Sequence, residues 1–201
     1  MKTPTKLLKR FIATLLFSSL VLVFSNSPAA GQSDKEVFNS TNFNITYEMA
    51  KMGDAESQYW IGYIYQEGKG VPQDYVEAVR WYRKAAKQGN AIAQLNLGSM
   101  YDKGQGVPQD YTEAVKWYRR AAEQGNSKAQ SNLGLMYSNS EGVPQDYIEA
   151  HKWYNLAASR SQGEVHENSV HNRDITEKRM TPAQVAEAQK LAREWKPKPA
   201  Q

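Results

Sequence analysis

Few side chains in this sequence could do chemistry. Its histidines are His151, His166 and His171, it has no cysteine, and its acids are spread along the chain. His166, Glu167 and His171 come nearest to a metal-ligating set, because imidazole and carboxylate together hold zinc and similar ions. Their spacing argues against it. Helical ligands share a face when they are three or four residues apart, and these histidines are five apart. A solvated helix face is the stronger reading for this cluster. His151 reads as a partly buried substitute for Val79 and Val115, not as a base. No S-x-x-K, G-x-S-x-G, H-E-x-x-H or phosphate-loop motif is present. Gly68-Lys69-Gly70 is too short for a phosphate cradle and reads as a loop turn. The expectation is a non-enzyme with no catalytic residue, no metal and no cofactor.

A second candidate is electrostatic. Arg80, Arg83, Lys84 and Lys87 recur as Lys116, Arg119, Arg120 and Lys152, and such a ribbon could meet an anionic glycan or lipid head group. Glu77, Glu113 and Glu149 stand three residues before Arg80, Lys116 and Lys152, which favours weak ion pairs on a solvated face. Cations near a helix C-terminus also suit its dipole. The formal charge of +4 does not signal nucleic acid. Lys2, Lys6, Lys9 and Arg10 carry four of the 25 basic residues, and the rest of the chain has 25 − 4 = 21 against 21 acids.

Those early cations open a three-part export signal. A basic start is followed by an apolar run from Phe11 to Phe24 and small residues around Ser27-Pro28-Ala29-Ala30-Gly31. Residues 1–29 therefore read as a signal peptide cleaved after Ala29 or Gly31, which sends the product to the periplasm or beyond. The apolar run is shorter than the ~20 residues a membrane span needs, so no transmembrane segment is expected after cleavage. Lack of cysteine excludes a disulfide framework, leaving packing to stabilise the fold.

The elements that must position these side chains are written as repeats. Val71-Pro72-Gln73-Asp74-Tyr75 returns at Val107 and at Val143, steps of 107 − 71 = 36 and 143 − 107 = 36. Gly62, Gly98 and Gly134 keep the same step, as do Trp81, Trp117 and Trp153, and Tyr82, Tyr118 and Tyr154. A fixed period of this size marks a solenoid whose units bury their apolar faces only against neighbours. The bounds that follow are a flexible lead-in at 30–40, a half-repeat helix at 41–54, repeats at 55–90, 91–126 and 127–162, and C-terminal capping helices and tail at 163–201.

Each unit spells two helices. In the second unit Asn90 is a good N-cap, and Ala93, Leu97, Met100 and Tyr101 form one apolar face that ends at Gly104-Gln105-Gly106. Pro108 bars a helix through the loop. Asp110 with Glu113 has the form of a capping box, as do Asp74 with Glu77 and Asp146 with Glu149. Ala114, Trp117, Tyr118, Ala121 and Ala122 then set large rings against small alanines, with Gly98 allowing close approach. The third unit decays at Ser140 and Ser161. A fourth first helix from Gly163 to Arg179 has only Val165, Ile175 and Met180 as apolar residues. The closing helix has Thr181 as N-cap, Pro182 at the first position, Gln184 completing a box, and a stripe of Val185, Ala188, Leu191, Ala192 and Trp195.

The pattern A-x-x-x-L-G-x-x-Y-x-x-G-x-G-V-x-x-D-x-x-x-A-x-x-W-x-x-x-A-A-x-x-G resembles the Sel1-like repeat, a relative of the tetratricopeptide repeat. Ala93 to Gly125 follow it almost throughout. The resemblance implies an all-α fold: a right-handed α/α superhelix of three helix pairs, a half-repeat before them and capping helices after. It also implies an adaptor role, and the expected partner is a protein or peptide bound by a monomer. Such arrays bind through a concave face lined by first helices. The first-helix positions free of packing are Glu56, Tyr59, Tyr63, Gln66 and Glu67; Ile92, Leu95, Ser99, Asp102 and Lys103; Lys128, Ser131, Leu135, Ser138 and Asn139. Two rival functions remain: a β-lactam-binding or hydrolysing enzyme, as implied by cysteine-rich relatives, and a cell-wall glycan binder using the basic ribbon.

Overall fold

The repeated loop stops one helix and starts the next, and each residue of its motif has a task. Gly68 and Gly104 turn left-handed at the ends of the first helices, with φ of 64° and 66°. Gln73, Gln109 and Gln145 each donate a side-chain N–H to the carbonyl seven residues earlier, at 2.8, 2.7 and 2.9 Å, satisfying an otherwise orphaned helix end. Asp74, Asp110 and Asp146 accept the backbone N–H groups of Glu77, Glu113 and Glu149, each at 3.0 Å. The reciprocal half of the expected capping box does not form. The backbone N–H groups of these aspartates already donate to the carbonyls of Tyr65, Tyr101 and Tyr137. The glutamates turn instead to Arg80, Lys116 and Lys152. Among the described helices the complete box is the one at Thr181 and Gln184.

The computed structural model describes residues 43–199. The expected signal peptide, its cleavage point and the lead-in lie outside the described residues. Within them run nine helices and no strand: α1 (residues 43–51), α2 (Ala55–Glu67), α3 (Tyr75–Lys87), α4 (Ala91–Lys103), α5 (Tyr111–Glu123), α6 (Ser127–Asn139), α7 (Tyr147–Arg160), α8 (Gly163–Glu177) and α9 (Pro182–Glu194). The fold class is all-α. Helices α2 with α3, α4 with α5 and α6 with α7 are the repeat pairs, and each second helix also packs on the first helix of the next unit. Helix α1 supplies Ala50, Phe43 and Tyr47 to cover Ile61 and Trp81.

Inside a pair, a ring fits against a missing side chain. A Cβ placed on Gly98 would lie 2.6 Å from Tyr118 Cδ1, on Gly62 it would lie 2.7 Å from Tyr82 Cδ1, and on Gly134 2.8 Å from Tyr154 Cε1. Between pairs, the loop presses on the unit before it. A Cβ on Gly106 would collide with the backbone of Tyr75 and Val76, and one on Gly142 with that of Tyr111 and Thr112, whereas Gly70, which has no earlier full unit, faces open space.

A buried polar ladder threads the stack. Gln58, Gln94 and Gln130 donate to the carbonyls of Ala50, Ala86 and Ala122 at 3.0, 3.0 and 3.1 Å. Gln88 and Gln124 donate in turn to the side-chain oxygens of Gln58 and Gln94, at 2.8 and 2.7 Å. His166 is the next rung, since 166 − 130 = 36, and its Nδ1 lies 2.8 Å from the Ala158 carbonyl. Helix α8 is therefore a fourth first helix in register. Its buried residues are Ser169 and Thr176, and the expected apolar Ile175 is 40 % exposed. Hydrogen bonding thus replaces hydrophobic patterning there: Ser169 donates to Ser131 of α6 at 3.1 Å, while Thr176 satisfies its buried hydroxyl within α8 on the Asn172 carbonyl at 2.8 Å.

The unit stops at that helix. Val170 stands where Gly134 would repeat and leaves no slot for a ring, and Lys190 stands where Tyr154 would repeat. Helix α9 packs on α7 instead. Beyond it Trp195 meets Trp153 edge-on at 6.3 Å under the Arg160 guanidinium, and the Lys198 N–H donates to the Glu123 carbonyl at 2.7 Å. The tail thus straps the second helices of units two and three.

Two substitutions test these contacts. Gly70→Ala and Gly106→Ala carry the same left-handed strain, but only the second meets a neighbouring unit. Urea unfolding should therefore show Gly106→Ala the more destabilised by about 2 kcal/mol. Ser140, the one described non-glycine with positive φ, at 63°, takes the place of a capping glycine, so Ser140→Gly should raise stability by about 1 kcal/mol.

Candidate protein-binding face

The first helices α2, α4, α6 and α8 present matching residues on one side. Their inward positions are consumed by packing: Ile61 and Gly62, Leu97 and Gly98, Leu133 and Gly134 are fully buried. The expected binding residues divide into two groups. Ile92 at 45 % and Leu135 at 39 % are exposed aliphatics, and Glu56, Glu67, Lys103, Lys128 and Asn139 are exposed polar side chains around them. Tyr59, Tyr63, Leu95, Gln66, Ser99, Asp102, Ser131 and Ser138 are only half-exposed.

The half-exposed group has inward contacts that the repeat spacing did not reveal. Tyr59 and Tyr63 pack on the core shared by the first and second units, where Tyr59 stacks on Tyr82 at 6.1 Å, and Leu95 packs on the core shared by the second and third. Tyr59, Trp60 and Tyr63 touch one another, with ring centroids 5.0, 5.8 and 6.5 Å apart. Lys69 donates to the Tyr63 hydroxyl at 2.8 Å with its ammonium 4.5 Å from that ring. Gln66 accepts from the Tyr82 hydroxyl at 2.8 Å, Asp102 from that of Tyr118 at 3.2 Å, and Ser131 accepts from Ser169.

The titratable groups that shift most are structural. Burial pushes the hydroxyls of Tyr82, Tyr118 and Tyr154 well above the usual tyrosine range, and Asp102 adds to the effect at Tyr118. His151 is buried outright at 1 % exposure, a correction to the partly buried expectation. Its Nε2 lies 3.2 Å from Glu177 Oε2 on α8, while Nδ1 has no partner among the described residues. It is a tether between α7 and α8. Among the described residues no three His, Asp or Glu side chains gather into a possible metal site.

The basic ribbon is engaged within the fold. Arg80 pairs with Glu77 at 3.0 Å and Lys152 with Glu149 at 2.6 Å. Arg83 and Arg119 donate to the hydroxyls of Tyr101 and Tyr137 in the following unit, and Lys84 and Arg120 lie 4.0 and 4.7 Å over the rings of Trp81 and Trp117.

A family model described as the Sel1 repeat matches residues 55–90, 91–126 and 127–161, more than half of the chain. The chain belongs to the Sel1 repeat family. Sel1 repeats typically mediate protein interactions. One similar solved structure is a protective antigen present in uropathogenic Escherichia coli strains and displaying this repeat fold, 30 % identical with a TM-score of 0.57. Another is a Sel1 repeat protein from Oxalobacter formigenes, 30 % identical with a TM-score of 0.58. The matches cover 76 % and 70 % of this chain but 40 % and 65 % of those, so this Sel1 chain spans less than two thirds of either relative. No curated protein matches the sequence.

Sequence reasoning missed the glutamine ladder and the Arg83–Tyr101 and Arg119–Tyr137 bridges between units. Both follow the step of 36, in Gln58, Gln94 and Gln130 and in Tyr101 and Tyr137, but a repeated polar residue carries no hydrophobic signal that it is core.

The buried tyrosines predict alkaline lability. Above about pH 10 an unfolded chain releases phenolic protons that the folded chain retains, so stability is full below that pH and falls as pH rises. Three such groups give a slope of up to about 4 kcal/mol per pH unit. Urea titrations at stepped alkaline pH should show it, with Tyr118→Phe removing about a third of the slope.

Proposed function

We propose that this chain is an exported, non-catalytic scaffold that grips a protein partner on the face of its first helices. The supporting observation is the exposure of Ile92 and Leu135 on helices whose opposite sides are wholly buried, beside the half-exposed rings of Tyr59 and Tyr63. An apolar strip ringed by Glu56, Lys103, Lys128 and Asn139 suits a protein interface, in which an apolar centre is sealed by a polar rim. Export rests on the basic-then-apolar start of the sequence and puts the site of action in the periplasm or outside the cell.

The described C-terminal segment does not compete for this face, because α9 and the tail run over α7 and α5. The glycan reading is weaker, since most of the ribbon cations already have an acid, a hydroxyl or a ring as partner. The β-lactam reading has neither the cysteines nor a serine–lysine motif to act through.

Crosslinking in cells tests the proposal. Ile92→Asp with Leu135→Asp changes two exposed residues and should leave thermal unfolding within about 1 kcal/mol while abolishing a specific crosslinked partner. Crosslinks that persist unchanged in this double variant would sink the assignment of the face.

A further inference from the structure

The face does not end with the third repeat. His166 takes the ladder position of Gln130, and Ser169 meets Ser131 across 3.1 Å, so α8 continues the register of α6. Adding 36 to Lys128, Ser131, Leu135 and Ser138 gives Glu164, Glu167, His171 and Asp174, a single stripe of α8, and all four are exposed.

Chemistry changes from one end of the face to the other. Helix α2 offers the contacting rings of Tyr59, Trp60 and Tyr63, with Glu56 and Glu67 exposed beside them and Lys69 over the Tyr63 ring, and α4 offers Ile92 and Leu95. Aromatic surface is thus confined to the α2 end, although that end also carries carboxylates. On α6, Leu135 shares the face with Lys128. The α8 stripe is acidic. Asp174 is held by Arg173 at 2.8 Å, but Glu164 and Glu167 form no ion pair among the described residues.

Building on the protein-binding reading of this face, we propose that its partner is a protein segment polarised along its length. The segment carries aromatic or aliphatic side chains against Tyr59, Tyr63 and Ile92, and Lys or Arg at the end that meets Glu164 and Glu167. The apolar end supplies affinity by burying surface. The cationic end supplies direction, since charge complementarity selects orientation and partner more than strength. Lys128, one helix before the carboxylates, repels a cation bound too early and so fixes the register. Directly packed helices lie about 8–10 Å apart and successive first helices are bridged by the second helix between them, so the three steps from α2 to α8 span at least about 25–30 Å. An extended segment covers that in about eight or nine residues at about 3.3 Å each.

Fluorescence polarisation on the full chain tests this with labelled peptides of about 12 residues. All share one Tyr- and Leu-containing half, and the other half carries lysines, glutamates or serines. The lysine peptide should bind about tenfold tighter than the glutamate peptide, with the advantage shrinking at high salt. Glu164→Lys with Glu167→Lys should reverse that order, and peptides of about six residues should lose the discrimination. Equal binding of lysine and glutamate peptides, or an order that survives the double charge reversal, overturns the polarised partner. In that case loss of every peptide from Ile92→Asp with Leu135→Asp leaves the face itself standing as a binding surface. Binding that ignores both double variants, or no binding by any peptide, overturns the face as well.

Discussion

A hydrogen atom in place of a side chain sets the spacing of this stack. At Gly62, Gly98 and Gly134 the first helix of each pair has no Cβ, and a tyrosine ring of the second helix fills that space at van der Waals contact. The rings of Tyr82, Tyr118 and Tyr154 are thereby buried completely. Their hydroxyls reach one turn further along the first helix, where Gln66 and Asp102 accept from the first two. One interaction therefore fixes how close the helices come and which way each pair faces, as close packing with a satisfied polar tip requires. Where the glycine becomes Val170, pairing stops and the last helix goes elsewhere.

The second constraint is polar and acts between units. Buried glutamines are costly unless every group they hide is bonded. Here each donates to a helix-end carbonyl, and Gln58 and Gln94 also accept from Gln88 and Gln124. The ladder ends unevenly. Arg160 stands where a third donor would, but it stacks on Trp195, and the Gln130 side-chain oxygen is left without a partner among the described residues. The same change that loosens the ladder anchors the tail, so the C-terminal strap and the end of the regular array share a cause.

A scaffold assembled this way separates stability from recognition. Packing, caps and ladder use the sides of the first helices that face their neighbours, leaving positions such as Ile92, Leu135, Glu164 and Glu167 free to vary from unit to unit. Tyr63, Ser99, Leu135 and His171 occupy one position in four successive helices, and they differ in chemistry and in exposure while the helix frame beneath them repeats. This is how a repeat array acquires an individual binding surface on a common frame.

The repeat step of 36, the helix boundaries and the aspartate caps were legible in the sequence, because they are local or follow directly from periodicity; the rings expected against alanines instead meet the glycines Gly62, Gly98 and Gly134. What the tertiary structure decided lies in contacts that cross units. The first-turn glutamates Glu77, Glu113 and Glu149 do not reach back, since the previous helix has already satisfied the backbone they would serve. His151 is sealed in because α8 closes over it. The fourth first helix is held by Ser169, His166 and Glu177, polar groups that no hydrophobic pattern announces. Nor could spacing alone show that Tyr59, Tyr63 and Leu95 would be half-withdrawn into the cores shared between units while Ile92 and Leu135 stayed out. Burial is set by what another unit places opposite, and that is a property of the stack, not of the segment.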